Sequence, residues 1–232
     1  MKKLILGIVI AVVALVMAAY GTYEWMNARG FQAFGELTRK VEAEDKVVAL
    51  TFDDGPTDKV EELLPLLEEY DAKATFFLIG KDMEEHMDEA EAIVEAGHQV
   101  GNHTYTHDYM VFKRYSFYKS EVDKTNALIR EAGYEGEIDF RPPYGKKLIG
   151  LPYYLKQQEM ETIMWNLEPD TFYSAPEEKV DYVVDGVTPG SIILTHPMYD
   201  DSDDALKAVE GILKSLTEMG YTFVTVDELQ GA

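Results

Sequence analysis

The chain has 232 residues, 46% hydrophobic and 28% charged, with 43 acids against 21 bases and no cysteine. This length and apolar share fit one folded domain plus extras and argue against a disordered chain, and the lack of cysteine rules out disulfide staples. A formal net charge of −22 argues against nucleic acid or anionic lipid headgroups as ligands, because both would be repelled.

Lys2 and Lys3 precede an uncharged apolar run from Leu4 to Tyr20, the pattern of an export signal or signal anchor. Leu4 to Tyr23 just reaches the ~20 residues that span a bilayer. Val16, Met17 and Ala18 offer a mediocre small-residue cleavage site. We expect residues 1–26 to be an uncleaved anchor with the domain outside; a cleaved signal and a soluble product beginning near Ala19 is the alternative. Residues 27–45 are mixed and polar and read as a connector, with the domain over 46–232.

From Lys46 onward, apolar strand-like runs at 47–52, 74–79, 98–102, 138–141, 161–167, 191–196 and 222–226 alternate with stretches of helical period. In one such stretch Val60, Leu63, Leu64 and Leu67 make a single apolar stripe, and in another Ala205, Val209, Ile212, Leu213 and Leu216 do. Alternating strand and helix predicts a parallel sheet with right-handed crossovers, open or closed. Chemistry-bearing residues stand at the ends of the runs near 52, 102, 141, 167 and 196. An open sheet gathers ligands at one switch point, whereas a barrel collects residues from many strand ends, so a seven-stranded α/β barrel is predicted.

The first run ends in T-F-D-D-G-P, with Asp53 and Asp54 adjacent. Two neighbouring carboxylates repel, and a site that keeps both ionised supplies a cation; taken alone, the motif is more often a turn with its acids in water. Next comes H-T-Y-T-H. If that turn is helical, His103 and His107 lie on one face at i and i+4. With Asp54 they make a site of two imidazoles and one carboxylate with open positions, the pattern of catalytic rather than structural zinc. R-P-P-Y-G follows. Its Arg141 would hold Asp53 ionised and orient it as a base, although an Arg before a turn is commonly a surface ion pair. S-I-I-L-T-H-P delivers His196, in this company the natural general acid.

In order and approximate spacing, T-F-D-D-G-P, H-T-Y-T-H, R-P-P-Y and L-T-H resemble the motifs of the polysaccharide deacetylases of carbohydrate esterase family four, the NodB homology domain. The resemblance runs from about Lys46 to Leu229. It implies a distorted seven-stranded α/β barrel and a divalent metal, zinc foremost with cobalt as the alternative. The implied reaction is hydrolysis of N-acetyl groups on an acetylated amino sugar polymer. By position, Asp53 matches the catalytic base, Asp54, His103 and His107 the metal triad, and Arg141 the residue that positions the base. Tyr144 matches the position whose backbone N–H binds oxyanion and acetate. Leu194 matches the acetate pocket wall, His196 the general acid, and Trp165 is placed with them on the substrate side. One motif departs from the family's D-x-x-D-W, for the chain reads W-N-L-E-P-D-T-F over 165–172. Without a gap, Glu168 takes the first Asp position, Thr171 the position of the Asp that tunes the histidine, and Phe172 that of the Trp. Asp170 replaces the missing carboxylate only if the loop slips by one residue.

The expected activity is therefore peptidoglycan N-deacetylation by a monomer outside a bacterial membrane. Chitooligosaccharide and O-acetyl xylan are alternative substrates. Two rivals come from other classes. A non-haem iron oxygenase shares the triad, but the α/β pattern, the doubled Asp and the remote His196 count against it. A sugar-binding module with a degenerate site is suggested by the departing motif and by Tyr105, Tyr109, Phe112 and Tyr115, which could stack on sugar rings.

Overall fold

The computed structural model describes residues 2–199 and 202–231. Helix α1 (Lys2–Met26) leads to β1 (Leu37–Thr38), β2 (Val47–Asp53), α2 (Val60–Glu69), β3 (Ala74–Leu78), α3 (Gly80–Glu85), α4 (Met87–Glu95) and β4 (Gln99–Asn102). The chain continues through α5 (Tyr115–Glu131), α6 (Gly150–Gln157), β5 (Thr162–Ile163), α7 (Pro176–Gly186), β6 (Ile192–Thr195), α8 (Asp204–Glu218), β7 (Thr222–Phe223) and α9 (Val226–Gln230).

Strand β2 is the axis of the fold. After Val47 all its residues are buried, which matches its near-continuous apolar sequence and requires cover on both faces. It pairs in parallel with β3 (Leu50↔Ala74) and β6 (Leu50↔Ile193), and its first two residues pair with β7 (Val48↔Phe223). Strand β4 extends the sheet from β3 (Phe76↔Val100). Single bridges Asn102↔Phe140, Phe140↔Thr162 and Leu167↔Ile193 carry the pairing around to β6 and close the ring. The result is the expected α/β barrel, distorted because three of the staves are thin, the two-residue β5 among them. The run at 138–141 pairs through Phe140 alone before Pro142 and Pro143 remove its donors, and the run at 222–226 keeps two strand residues before α9 begins.

Alternation along β2 sorts its side chains. Val48, Leu50 and Phe52 join the outer core under the helices, while Ala49 belongs to an inner cluster with Phe77, Ile163, Ile192 and Leu194. Thr51 and Asp53 follow Ala49 at period two and therefore face the barrel interior. The stripe read on α8 is buried as expected, through Ala205, Val209, Ile212, Leu213 and Leu216. At the floor, α9 is held by the Thr225/Glu228 capping box. Gln99 meets α9 there, accepting from the backbone N–H of Asp227.

Helix α1 has no buried residue and a mean hydropathy of 2.7 over its most apolar 18 residues, so by length and composition it can cross a membrane. The stretch read as a connector differs from that expectation. Within 27–45, β1 pairs in parallel with β5 (Leu37↔Thr162), Lys40 bridges Ser191, and Val41 donates its N–H to the Gly190 carbonyl at 2.9 Å. A Cβ on Gly190 would sit 1.9 Å from the Val41 carbonyl oxygen, so only glycine permits this approach. The contact is made by main chain, which is why side-chain polarity did not reveal it.

Candidate metal and catalytic site at the barrel mouth

Strand β2 ends by turning sharply. Asp54 is left-handed (φ 72°) and Gly55 follows at φ 67°, where a Cβ would lie 2.8 Å from Met198 Sδ. This turn separates the two adjacent carboxylates. Asp53 stays in the barrel, 3% exposed, and accepts a 2.7 Å hydrogen bond from Arg141 Nη1. Asp54 swings toward the histidines.

Arg141 is fully buried, and its donors are engaged: Nη1 also reaches Thr51 Oγ1 at 2.7 Å, Nε the Ile163 carbonyl and Nη2 the Met164 carbonyl. Its guanidinium lies 4.0 Å from the Phe77 ring centroid. A buried charge needs this degree of pairing, and the arrangement leaves Asp53 Oδ2 as the outward oxygen, 3.7 Å from His103 Nε2.

The histidines do not share a helical face. Residues 103–107 form a loop with Thr104 (φ 72°) and His107 (φ 59°) left-handed, and the loop itself brings the ring centroids to 5.0 Å. It is pinned from below. Thr104 N–H donates to Asn102 Oδ1, and buried Glu121 accepts from the N–H groups of Tyr105 and Thr106 and from the Thr106 hydroxyl. Sequence reading missed Glu121, although a carboxylate on the buried stripe of α5 between Tyr118 and Thr125 was a visible signal.

His103 Nδ1 lies 2.7 Å from the Arg141 carbonyl, so Nδ1–H donates there and the Nε2 lone pair faces Asp54 Oδ1 at 3.6 Å. His107 Nε2 is 3.3 Å from the same oxygen. Burial first, and then the neighbouring His103, push His107 below its ordinary pKa despite Asp54 and Asp53, favouring the neutral form that a ligand needs. Asp54 Oδ1 is buried and has no hydrogen-bond partner, and the three ligand atoms lie within 4.8 Å of one another. An orphaned carboxylate oxygen between two imidazole lone pairs fits a divalent cation.

His196 stands across the mouth. Asp170 Oδ2 accepts from its backbone N–H at 2.9 Å and lies 3.0 Å from its Nδ1, while Lys179 holds Asp170 Oδ1 at 2.9 Å. Asp170 thus reaches His196, and the Thr171 hydroxyl instead donates to Glu168. Burial alone would lower the His196 pKa; the Asp170 hydrogen bond and the charges of Asp53 and Asp54 outweigh it and raise it to about 9. Burial would likewise raise Asp170, but its bonds to His196 and Lys179 hold it below the ordinary carboxylate range.

Tyr144 is left-handed (φ 59°) in the R-P-P-Y-G turn, and its exposed ring stacks on Tyr109 at 4.3 Å beside His107. Leu194 is buried on the inner side of β6. Trp165 departs from the substrate-side placement: it is 4% exposed, with its indole N–H donating to Glu168. Tyr105 and Tyr115 also point elsewhere, bonded to Glu84 and Gln157.

Residues 40–163 match the polysaccharide deacetylase family. The chain belongs to that family. Among its polysaccharide deacetylase relatives, a peptidoglycan-N-acetylglucosamine deacetylase of Bacillus cereus is 33% identical over 200 residues, covering 84% of this chain and 93% of that protein. Peptidoglycan-N-acetylmuramic acid deacetylase PdaC of Bacillus subtilis is 31% identical over 194 residues, 82% of this chain. The match spans 40% of PdaC's own length. The solved structure of the Bc1960 peptidoglycan N-acetylglucosamine deacetylase superposes with a TM-score of 0.79 at 27% identity, covering 84% of this chain and 93% of that one.

Proposed function

We propose that this polysaccharide deacetylase hydrolyses N-acetyl groups from the sugars of peptidoglycan, with Asp54, His103 and His107 holding a divalent cation, Asp53 as base and His196 as acid. The observation that carries the reading is the orphaned Asp54 Oδ1 between two imidazole nitrogens, with a guanidinium-paired Asp53 and a carboxylate-paired His196 at the same mouth. Peptidoglycan is favoured as substrate by the relatives named above, and chitooligosaccharides serve as surrogate. Helix α1 would keep the domain at the outer face of a bacterial membrane.

A cation in the triad, zinc by its donor set, supplies Lewis acidity and lowers the pKa of bound water toward neutrality, to ~7 in zinc enzymes. Asp53 accepts a proton from the attacking water through its outward oxygen, while Arg141 fixes the carboxylate in place. The Tyr144 backbone N–H faces the developing oxyanion, and Leu194 walls the acetyl methyl. His196 protonates the departing amine, because an amide anion is a very poor leaving group. Acetate and a free amino sugar result.

The folded pKa of His196, about 9 against an ordinary 6.5, sets a sign. A histidine raised in this way contributes stability that is fully present below pH 6.5 and lost as pH rises through about 9. With a dication bound, the share due to Asp53 and Asp54 is offset and that of Asp170 remains. Asp170→Asn should therefore move the basic limb of the kcat profile to lower pH, whereas Thr171→Val should leave it in place. An unmoved limb in Asp170→Asn would remove Asp170 from the tuning role.

The substrate assignment is tested by incubating purified cell walls with the protein and counting free amino groups on the sugars. Their number should rise. No rise on walls, alongside rapid acetate release from acetylated xylan, would make this an O-acetyl esterase instead.

A further inference from the structure

The residues that leave α1 return directly to the catalytic wall. The Met26 carbonyl accepts the Lys147 N–H at 3.1 Å, and buried Lys147 donates its ammonium to the Ala28 carbonyl. Arg29 then lies with its guanidinium 4.6 Å from the Trp165 ring centroid, while Nη2 forms a 2.7 Å ion pair with Glu168. Glu168 is 8% exposed and also accepts from Trp165 Nε1 and Thr171 Oγ1. Arg141 lies 5.5 Å from the same Trp165 ring centroid.

Trp165 is thus shared by two guanidiniums, Arg29 from the strap of residues that follows α1 and Arg141, which holds Asp53. Glu168 is the hub of the loop that, two residues later, presents Asp170 to His196. Among the described residues Arg29 is the one cation paired with Glu168, and a carboxylate this buried is costly to leave without one. The strap contact therefore reaches both the base and the acid through one residue each.

We propose that the strap after α1 is part of the active-site framework and that Arg29 is a positioning residue, clamping Trp165 and Glu168 so that Arg141 and Asp170 hold Asp53 and His196 in register. This rests on the assignment of Asp53 and His196 given above. It gives the departing stretch over 165–172 a role of its own: Glu168 takes the strap's cation and Asp170 the histidine.

The test uses the full chain in detergent. The sequence has two tryptophans, so a Trp25→Phe background leaves Trp165 as the single indole reporter. Arg29→Met should lower kcat by on the order of 10- to 10²-fold with KM nearly unchanged, the scale expected when reacting groups lose alignment. It should also red-shift Trp165 emission as water replaces the guanidinium. Arg29→Lys keeps the charge but not the planar fork and should recover part of kcat. Glu168→Gln should show a similar loss, and the double variant should lose little more than either single one, since both break the same clamp. Wild-type kcat with unchanged emission in Arg29→Met, or fully additive losses in the double variant, would overturn the proposal. Near-normal turnover in Asp53→Asn and His196→Ala would instead defeat the catalytic assignment, while the emission shift would still report the clamp.

Discussion

Chelation is expected to abolish deacetylation, and zinc or cobalt to restore it. Asp54 Oδ1 is removed from solvent with no donor to satisfy it, and leaving a buried carboxylate oxygen in that state is costly. His103 is already oriented by the Arg141 carbonyl, so its Nε2 is poised before any ligand arrives. A ligand that binds only the folded state also stabilises it by mass action. Thermal midpoint should therefore rise with added metal in the wild type and much less in Asp54→Ala. Full activity in a rigorously metal-free preparation would sink the assignment of the triad.

Asp53→Asn and His196→Ala should each keep the metal and yet lose rate on the order of 10²–10⁴, the usual worth of a positioned base or acid. The two acids of the D-D pair are distinguishable because the turn at Asp54 sends them to different partners. Asp53 faces Arg141 and Asp54 faces the imidazoles. Asparagine at 53 keeps the shape but cannot take a proton, and it leaves Arg141 buried without its counter-charge. Metal content and thermal midpoint must accordingly be measured beside kcat. Alanine at 196 should cost turnover and also the stability that pairing with Asp170 contributes below pH 6.5, so its thermal midpoint is compared with the wild type at high pH, where that contribution has gone. Near-wild-type turnover in either variant would remove that residue from its role.

Much of this architecture was legible in the sequence, because its signals are side-chain signals. Apolar runs alternating with amphipathic stretches predicted the barrel, and strand-end polar residues predicted where the mouth lies. What stayed hidden depends on main chain. His103 and His107 meet through left-handed residues at Thr104 and His107, and a β-branched threonine is a residue type that argues against a positive φ. Val41 reaches Gly190 through backbone alone. Glu121 and Lys179 serve the site from α5 and α7, elements whose sequence reads simply as amphipathic helix. Arg29 lies in a polar stretch, and only its partners, more than a hundred residues away, show what it does.

The loop that carries Asp170 bears on how members of such families are judged active or dead. A screen that scores competence by the letter in each alignment column would find Thr171 where an aspartate is required and discard this chain. The carboxylate oxygen nevertheless stands 3.0 Å from His196 Nδ1, delivered by the preceding residue and steadied by Lys179. The charge beside a histidine is set by where an oxygen ends up, which the letter in one position does not report. For chains like this one, vetoes based on missing letters are better replaced by a search for any acid able to reach the histidine.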